Sequence, residues 1–288
     1  MQILALVALL AGTAKTAILL FSRTENKLSS AFALVCISMI LQNTFEFLVA
    51  VTYYTDPALT AQIYHAEIFS IILMAYCMLV FSLVATESNY LKPLSILFGG
   101  AALACTYMLV TGQLILGYEH AGYSVISTPA ENYYMLPLFV SVTMPFLFGT
   151  IAYSALTAPG ELRTRSRQLL IAVLPICLVA LTVIVLRLSG SNSSTAVFMP
   201  LATTFFVAVM VLQQSGRIVI FKIKWTVIWK LAVTMKDVKL SEWVGLVEEL
   251  LVKEAMRESE NNQSEAAKLI KSNQSTVGRK FKKYEGIS

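Results

Sequence analysis

Charge is scarce in this sequence. Of its 288 residues only 14% are Asp, Glu, Lys or Arg, where an ordinary soluble domain carries about 25%. Histidine is down to two, His65 and His120. The four cysteines, Cys36, Cys77, Cys105 and Cys177, stand singly inside apolar runs, none at metal-ligand spacing. This argues against a disulfide framework, a metal centre and a redox pair, because buried thiols of this kind behave as small hydrophobes. A Gly-rich phosphate loop is also missing. No catalysis, no cofactor and no metal are expected.

What fills the gap is hydrophobic, 57% of the chain, and it comes in long blocks. Seven run approximately over 1–21, 29–52, 63–85, 92–115, 134–157, 168–188 and 195–214. Each is close to the ~18 or more residues needed to cross the hydrocarbon core. Inside lipid the backbone must satisfy its own N–H and C=O groups, which only a helix does within one segment, so residues 1–214 are expected to be all-helical. The first block resembles a signal peptide at Ala11-Gly12-Thr13-Ala14, but no positive charge precedes it, and it is read as a span.

Lys and Arg of short loops stay cytoplasmic. Arg23, Lys27, Lys92, Arg163, Arg165 and Arg167 follow the first, third and fifth blocks, while the loops around Asp56, Glu119 and Ser191 carry none. The expected place is a bacterial inner membrane, N-terminus outside and C-terminus in the cytoplasm. Lys15 lies toward the inner end of the first span and is expected to snorkel to the headgroups.

After Gln214 the composition changes: residues 215–288 hold 14 of the 22 Lys and Arg against 9 of the 17 Asp and Glu. A cationic surplus suits an anionic membrane surface or a nucleic acid. Residues 217–235 mix Lys222, Lys224 and Lys230 with Trp225 and Trp229, which are four apart and share a helix face. They read equally as an interfacial anchor or as a juxtamembrane extension of the last span.

The end of the tail is amphipathic in three pieces. Leu240, Trp243, Val244, Val247, Leu250, Leu251 and Ala255 recur at helical spacing. Asn262 with Glu265 forms a variant capping box opening a second helix, whose buried side is Ala266, Ala267, Leu269 and Ile270. After Lys271-Ser272-Asn273, a third helix packs through Val277 and Phe281. It leaves Gln274, Ser275, Thr276, Arg279, Lys280, Lys282 and Lys283 for base edges and phosphates. A solvated helix face or a lipid-headgroup patch is the plainer reading of the 279–283 charge run.

These residues, with Asn262-Gln-Ser-Glu-Ala-Ala-Lys-Leu-Ile270 and Lys280-Phe-Lys-Lys-Tyr284, resemble the C-terminal domain of the factor for inversion stimulation, which also closes many enhancer-binding activators. The resemblance covers about the last 48 residues and implies double-stranded DNA as partner and a homodimer. Two positions depart from it. Lys271 and Ser272 stand where the family has Gly and an apolar residue, so a left-handed position falls on a side chain, and Gly278 within the third helix costs about 1 kcal/mol against Ala.

The seven-span portion resembles the N-terminal seven-helix sensor domain of some bacterial histidine kinases, through Phe21-Ser-Arg-x3-Lys-x-Ser-x-Ala-Phe32, His120-Ala-Gly-Tyr-Ser-Val125, Tyr133-Tyr134, Arg163-x-Arg-x-Arg-Gln168 and Pro200-Leu-Ala202. The tail is too short for a kinase and no cytoplasmic histidine exists to accept a phosphoryl group, so the tail is read as the output. Ionisable groups within spans are the default place for a site. Glu46, on a stripe with Gln42 and Asn43, together with His65, Glu67 and Arg187, is expected to line an outward-facing pocket for a small ligand, Arg187 countering a carboxylate; the alternative is ordinary interfacial residues reaching for water. Pro145 and Pro175 are possible kinks.

The resulting expectation is an all-α chain: a seven-transmembrane sensor bundle over 1–214, a connector over 215–239 and a helix-turn-helix over 240–288. It would be a one-component transcription regulator tethered to the lipid bilayer. Two alternatives stand beside it, a receptor whose tail binds a protein partner and a small-solute transporter. A retinal photoreceptor is disfavoured because 195–214 has no lysine.

Overall fold

In the computed structural model, described over residues 1–23, 30–121, 124–189, 197–214, 227 and 240–285, the chain divides into two units, Met1–Val211 and Leu212–Ser288. The first contains helices α1 (Gln2–Arg23), α2 (Ser30–Thr52), α3 (Pro57–Ala85) and α4 (Leu91–Val110), strands β1 (Ile115–Ala121) and β2 (Ser124–Pro129), then α5 (Met135–Thr157), α6 (Gly160–Leu188) and α7 (Phe198–Gln214). By length and composition, six of the described helices are able to cross a membrane; α7, at 17 residues, is shorter.

Local chemistry sets the helix ends. Asp56 caps α3 by accepting from the Leu59 N–H at 3.0 Å, and Pro57 at the first turn has no N–H to leave unpaired. Helix α3 therefore starts at Pro57 rather than near 63. Helix α4 stops at Val110 because Gly112, at φ +72°, turns the chain left-handed. Its N–H donates to the Leu109 carbonyl and that of Gln113 to the Met108 carbonyl, the paired closure of a Schellman end.

Residues 1–214 are not all helical. β1 and β2 pair antiparallel, from Ile115 opposite Pro129 to Ala121 opposite Ser124, with an irregularity between Ile115 and Gly117. A segment outside the apolar blocks is free of the rule that forces helix in hydrocarbon, and Tyr118, Val125, Ile126 and Thr128 favour strand. The hairpin is held down by rings. Tyr53 lies 5.8 Å from Tyr118 and 5.6 Å from His120, Tyr64 lies 5.8 Å from Tyr118, and the Tyr118 hydroxyl donates to the Pro57 carbonyl at 3.0 Å.

The packing is apolar outside and partly polar inside. Ile96, Leu103 and Leu156 are each more than 70% exposed, whereas Ser38, Gln42, Asn43, Glu46, Thr143 and Thr203 are buried. Phe32, Phe81 and Phe206 bring α2, α3 and α7 together with ring centres 5.6 to 6.3 Å apart. Lys15 does not snorkel. It follows Leu4, Ala8 and Ala11 along the inward stripe of α1, is fully buried, and donates to Asn43 Oδ1 at 2.5 Å and to the Pro200 carbonyl at 3.3 Å. Two acceptors inside the bundle replace the hydration that headgroups would have supplied.

The second unit contains α8 (Leu240–Glu258), α9 (Gln263–Leu269) and α10 (Gln274–Glu285). They close over Val252, Ala255, Met256, Ala266, Ala267 and Val277, and Val227 is buried in the same cluster. Apart from Val227, the connector with Lys222, Lys224, Trp225, Trp229 and Lys230 lies outside the described residues, as do Lys27 and the side chains of Arg23, Leu240, Trp243 and Val244.

Candidate nucleic-acid interface and bundle cavity

The sequence of the tail places its helices by capping chemistry. The Asn262 side chain accepts from the N–H groups of Ser264 (3.1 Å) and Glu265 (3.3 Å), which starts α9. Glu265 does not reach back to complete a capping box; its carboxylate takes Lys268 at 2.7 Å instead. At the other end Lys271 adopts φ +52°. Its N–H reaches the Lys268 carbonyl and that of Ser272 the Ala267 carbonyl, a Schellman end with lysine where glycine is favoured. Lys271→Gly is therefore expected to stabilise the α9–α10 turn by about 1 kcal/mol, read as higher amide-exchange protection of α9 and α10 in the full chain.

Helix α10 turns Val277 into the core, 1% exposed, with Phe281 half-buried beside it. Ser275, Arg279, Lys282 and Lys283 form one exposed stripe, with Gln274 exposed at the first turn and Thr276 half-exposed. A helix offering its N-terminal residues and a cationic stripe has the donors for base edges and phosphates. Gly278 is buried: a Cβ there would stand 2.6 Å from Gln263 Oε1, so the small residue lets α9 approach α10.

Lys280 is placed differently from its neighbours. Its Nζ donates to Glu248 Oε1 of α8, and the Tyr284 hydroxyl donates to Glu248 Oε2 at 3.3 Å. The pair ties the third helix to the first. The Lys280 hydrogen bond holds the Glu248 carboxyl below its ordinary range. A depressed folded value means that the pair contributes fully at neutral pH and stops contributing as pH falls below about 4.3 toward the folded value. Exchange protection of α10 should fall over that acid range, and Glu248→Gln should lower it at neutral pH and flatten the acid response.

The first unit holds a partly open cavity of about 370 Å³ lined from α1, α2, α3, α5, α6, α7 and β2. Glu46, Gln42 and Glu67 line it with Tyr64, Ser127 and Tyr133, among walls that include Val49, Ile68, Met74 and Ile184. Glu46 is 4% exposed, and Glu46 Oε2 has no hydrogen-bond partner among the described residues. The Tyr64 hydroxyl and Ser127 Oγ lie 2.8 Å apart, joining α3 to the hairpin over the cavity.

Of the four residues expected at a pocket, Glu46 and Glu67 meet there. His65 does not line it; its Nδ1 faces the Ala61 carbonyl at 2.8 Å. The side chain of Arg187 lies outside the described residues. Tyr64, Ser127 and Tyr133 were not foreseen, although Tyr64 stands three residues before Glu67 and so shares its helix face. Among the described residues no group of three or more His, Cys, Asp or Glu gathers to hold a metal.

No curated protein and no solved structure matches the chain. Residues 244–284 match the family described as HTH_8, bacterial regulatory protein, Fis family, over the helices that carry the stripe. The chain therefore carries at its C-terminal end a Fis-family DNA-binding domain, of a family of transcription regulators that is generally not enzymatic.

Proposed function

We propose that the chain is a membrane-anchored one-component transcription regulator, in which residues 1–214 form a seven-span sensor, 215–239 a connector and 240–288 the DNA reader. The observation that carries this reading is the joining, in one chain, of a helical bundle with an apolar exterior and a partly polar interior to a Fis-type helix-turn-helix. An exterior studded with residues such as Ile96 and Leu103 is unfavourable in water and favourable in hydrocarbon. The distribution of Lys and Arg among the short loops favours a tail on the cytoplasmic side. Resemblance to the seven-helix domain of histidine kinases supports a sensing role, with the tail as the output in place of a kinase.

On this reading Gln274, Ser275 and Thr276 face base edges, and Arg279, Lys282 and Lys283 face phosphates. Pairing of two tails on DNA would be the quantity that a change in the bundle alters. The test uses the full chain in lipid nanodiscs with duplex DNA, together with a reporter fused after Ser288. A cytoplasmic reporter and binding that weakens steeply with salt, while favouring particular sequences, support it. A periplasmic reporter overturns it. Salt-insensitive or absent binding favours a tail that docks a protein partner, the reading to which the Lys280–Glu248 pair lends weight by taking one cation off the stripe.

A further inference from the structure

We infer that the cavity of the first unit is a binding site for a small amine with an apolar body, its ammonium group held between Glu46 and Glu67. The inference rests on the reading of the bundle as a sensor and names the chemical class of what it senses. Three features carry it: the volume of the cavity, the two carboxyl groups that line it, and a glutamate oxygen, Glu46 Oε2, that is buried and has no hydrogen-bond partner among the described residues. An acceptor left unmade at a buried carboxylate is costly, and a ligand donor removes that cost.

The charge of the ligand follows from the neighbours. Lys15 is within Coulombic reach of Glu46, but its Nζ is already committed to Asn43 and the Pro200 carbonyl, and it does not line the cavity. The described lining of the cavity therefore offers two carboxyl groups and no cationic side chain, and an ammonium group is a ligand group with donors for both. A bare divalent ion does not fit, because calcium needs six to eight oxygen ligands and the remaining walls are mostly Val, Ile, Leu and Met. Those walls suit a hydrocarbon or aromatic body. The volume of about 370 Å³ is at the small end of the ~300–1,000 Å³ typical of ligand sites, so the body is small. Gln42, Tyr64 and Ser127 add neutral polar contacts for orientation.

The experiment is a binding titration on the full chain in nanodiscs, followed by thermal unfolding and calorimetry. The probes are a series of primary amines from hexylamine to tryptamine, each with its matched alcohol, and phenylpropionate as the anion. Partition into lipid is removed by subtracting the Glu46→Gln/Glu67→Gln double variant. The expected result is that at least one amine binds about tenfold or more tighter than its alcohol, with each single Gln variant losing most of that preference. Helical content by circular dichroism reports whether the variants fold, and Glu46→Asp, which keeps the charge, should retain preference for the amine. Amines that bind no better than their alcohols, a preference for the anion, or Gln variants that bind amine like the wild type would each overturn the assignment. DNA retention by the same preparation is read separately, so its failure strikes the regulator reading and leaves the titration intact.

Discussion

Arg279→Ala, Lys282→Ala and Lys283→Ala combined should weaken DNA binding of the full chain by about a hundredfold or more near 0.1 M salt and flatten its salt dependence. The three cations share an exposed stripe of α10 that the fold does not use for packing. Removing a cation that neutralises one phosphate lowers the slope of log K against log salt by about 0.9, so removing three should lower it by about 2.7. Lys280→Ala makes the sharper comparison. Because Lys280 is tied to Glu248, its removal should act mainly on the stability of α10 against α8 and change the slope little. Gel shifts over a salt series, with exchange protection measured alongside, separate the two. A Lys280 variant that lowers the slope as each neighbour does would show that the pair opens on DNA.

Lys15→Met should destabilise the first unit by about 1–3 kcal/mol, the cost of leaving a buried acceptor without its donor, or roughly 5 °C in the midpoint of thermal unfolding. The lysine is fully buried and links α1 to Asn43 of α2 and to the Pro200 carbonyl of α7. Its loss leaves the Asn43 amide oxygen without that donor in a low-dielectric interior, where an unpaired acceptor is expensive. Size-exclusion of the heated protein in detergent gives the midpoints. Equal midpoints for wild type and Lys15→Met would mean that water already hydrates this site.

How much can be read from the sequence depends on whether the constraint is local. The apolar blocks announce helices because hydrocarbon permits little else. The starts of α3 and α9 are fixed by Asp56-Pro57 and Asn262, side chains that act within three residues of themselves. The cost at Lys271 is visible in the same way, as a lysine at a helix end that wants glycine. The hairpin is not, because strand pairing lies between segments, and the rule that enforces helix stops where the hydrocarbon does.

The sequence by itself determined the helical bundle, the three tail helices and the cationic stripe, since each follows from periodicity, capping or composition over a few turns of chain. Only the tertiary structure decided which polar groups meet. It put Lys15 inside the bundle, brought Glu46 and Glu67 to one cavity while leaving His65 outside, covered that cavity with Ser127, and took Lys280 for Glu248. The physical reason is that a side chain's partner is set by helix rotation and neighbour choice, which arise from packing the whole unit and leave no signature in any one segment.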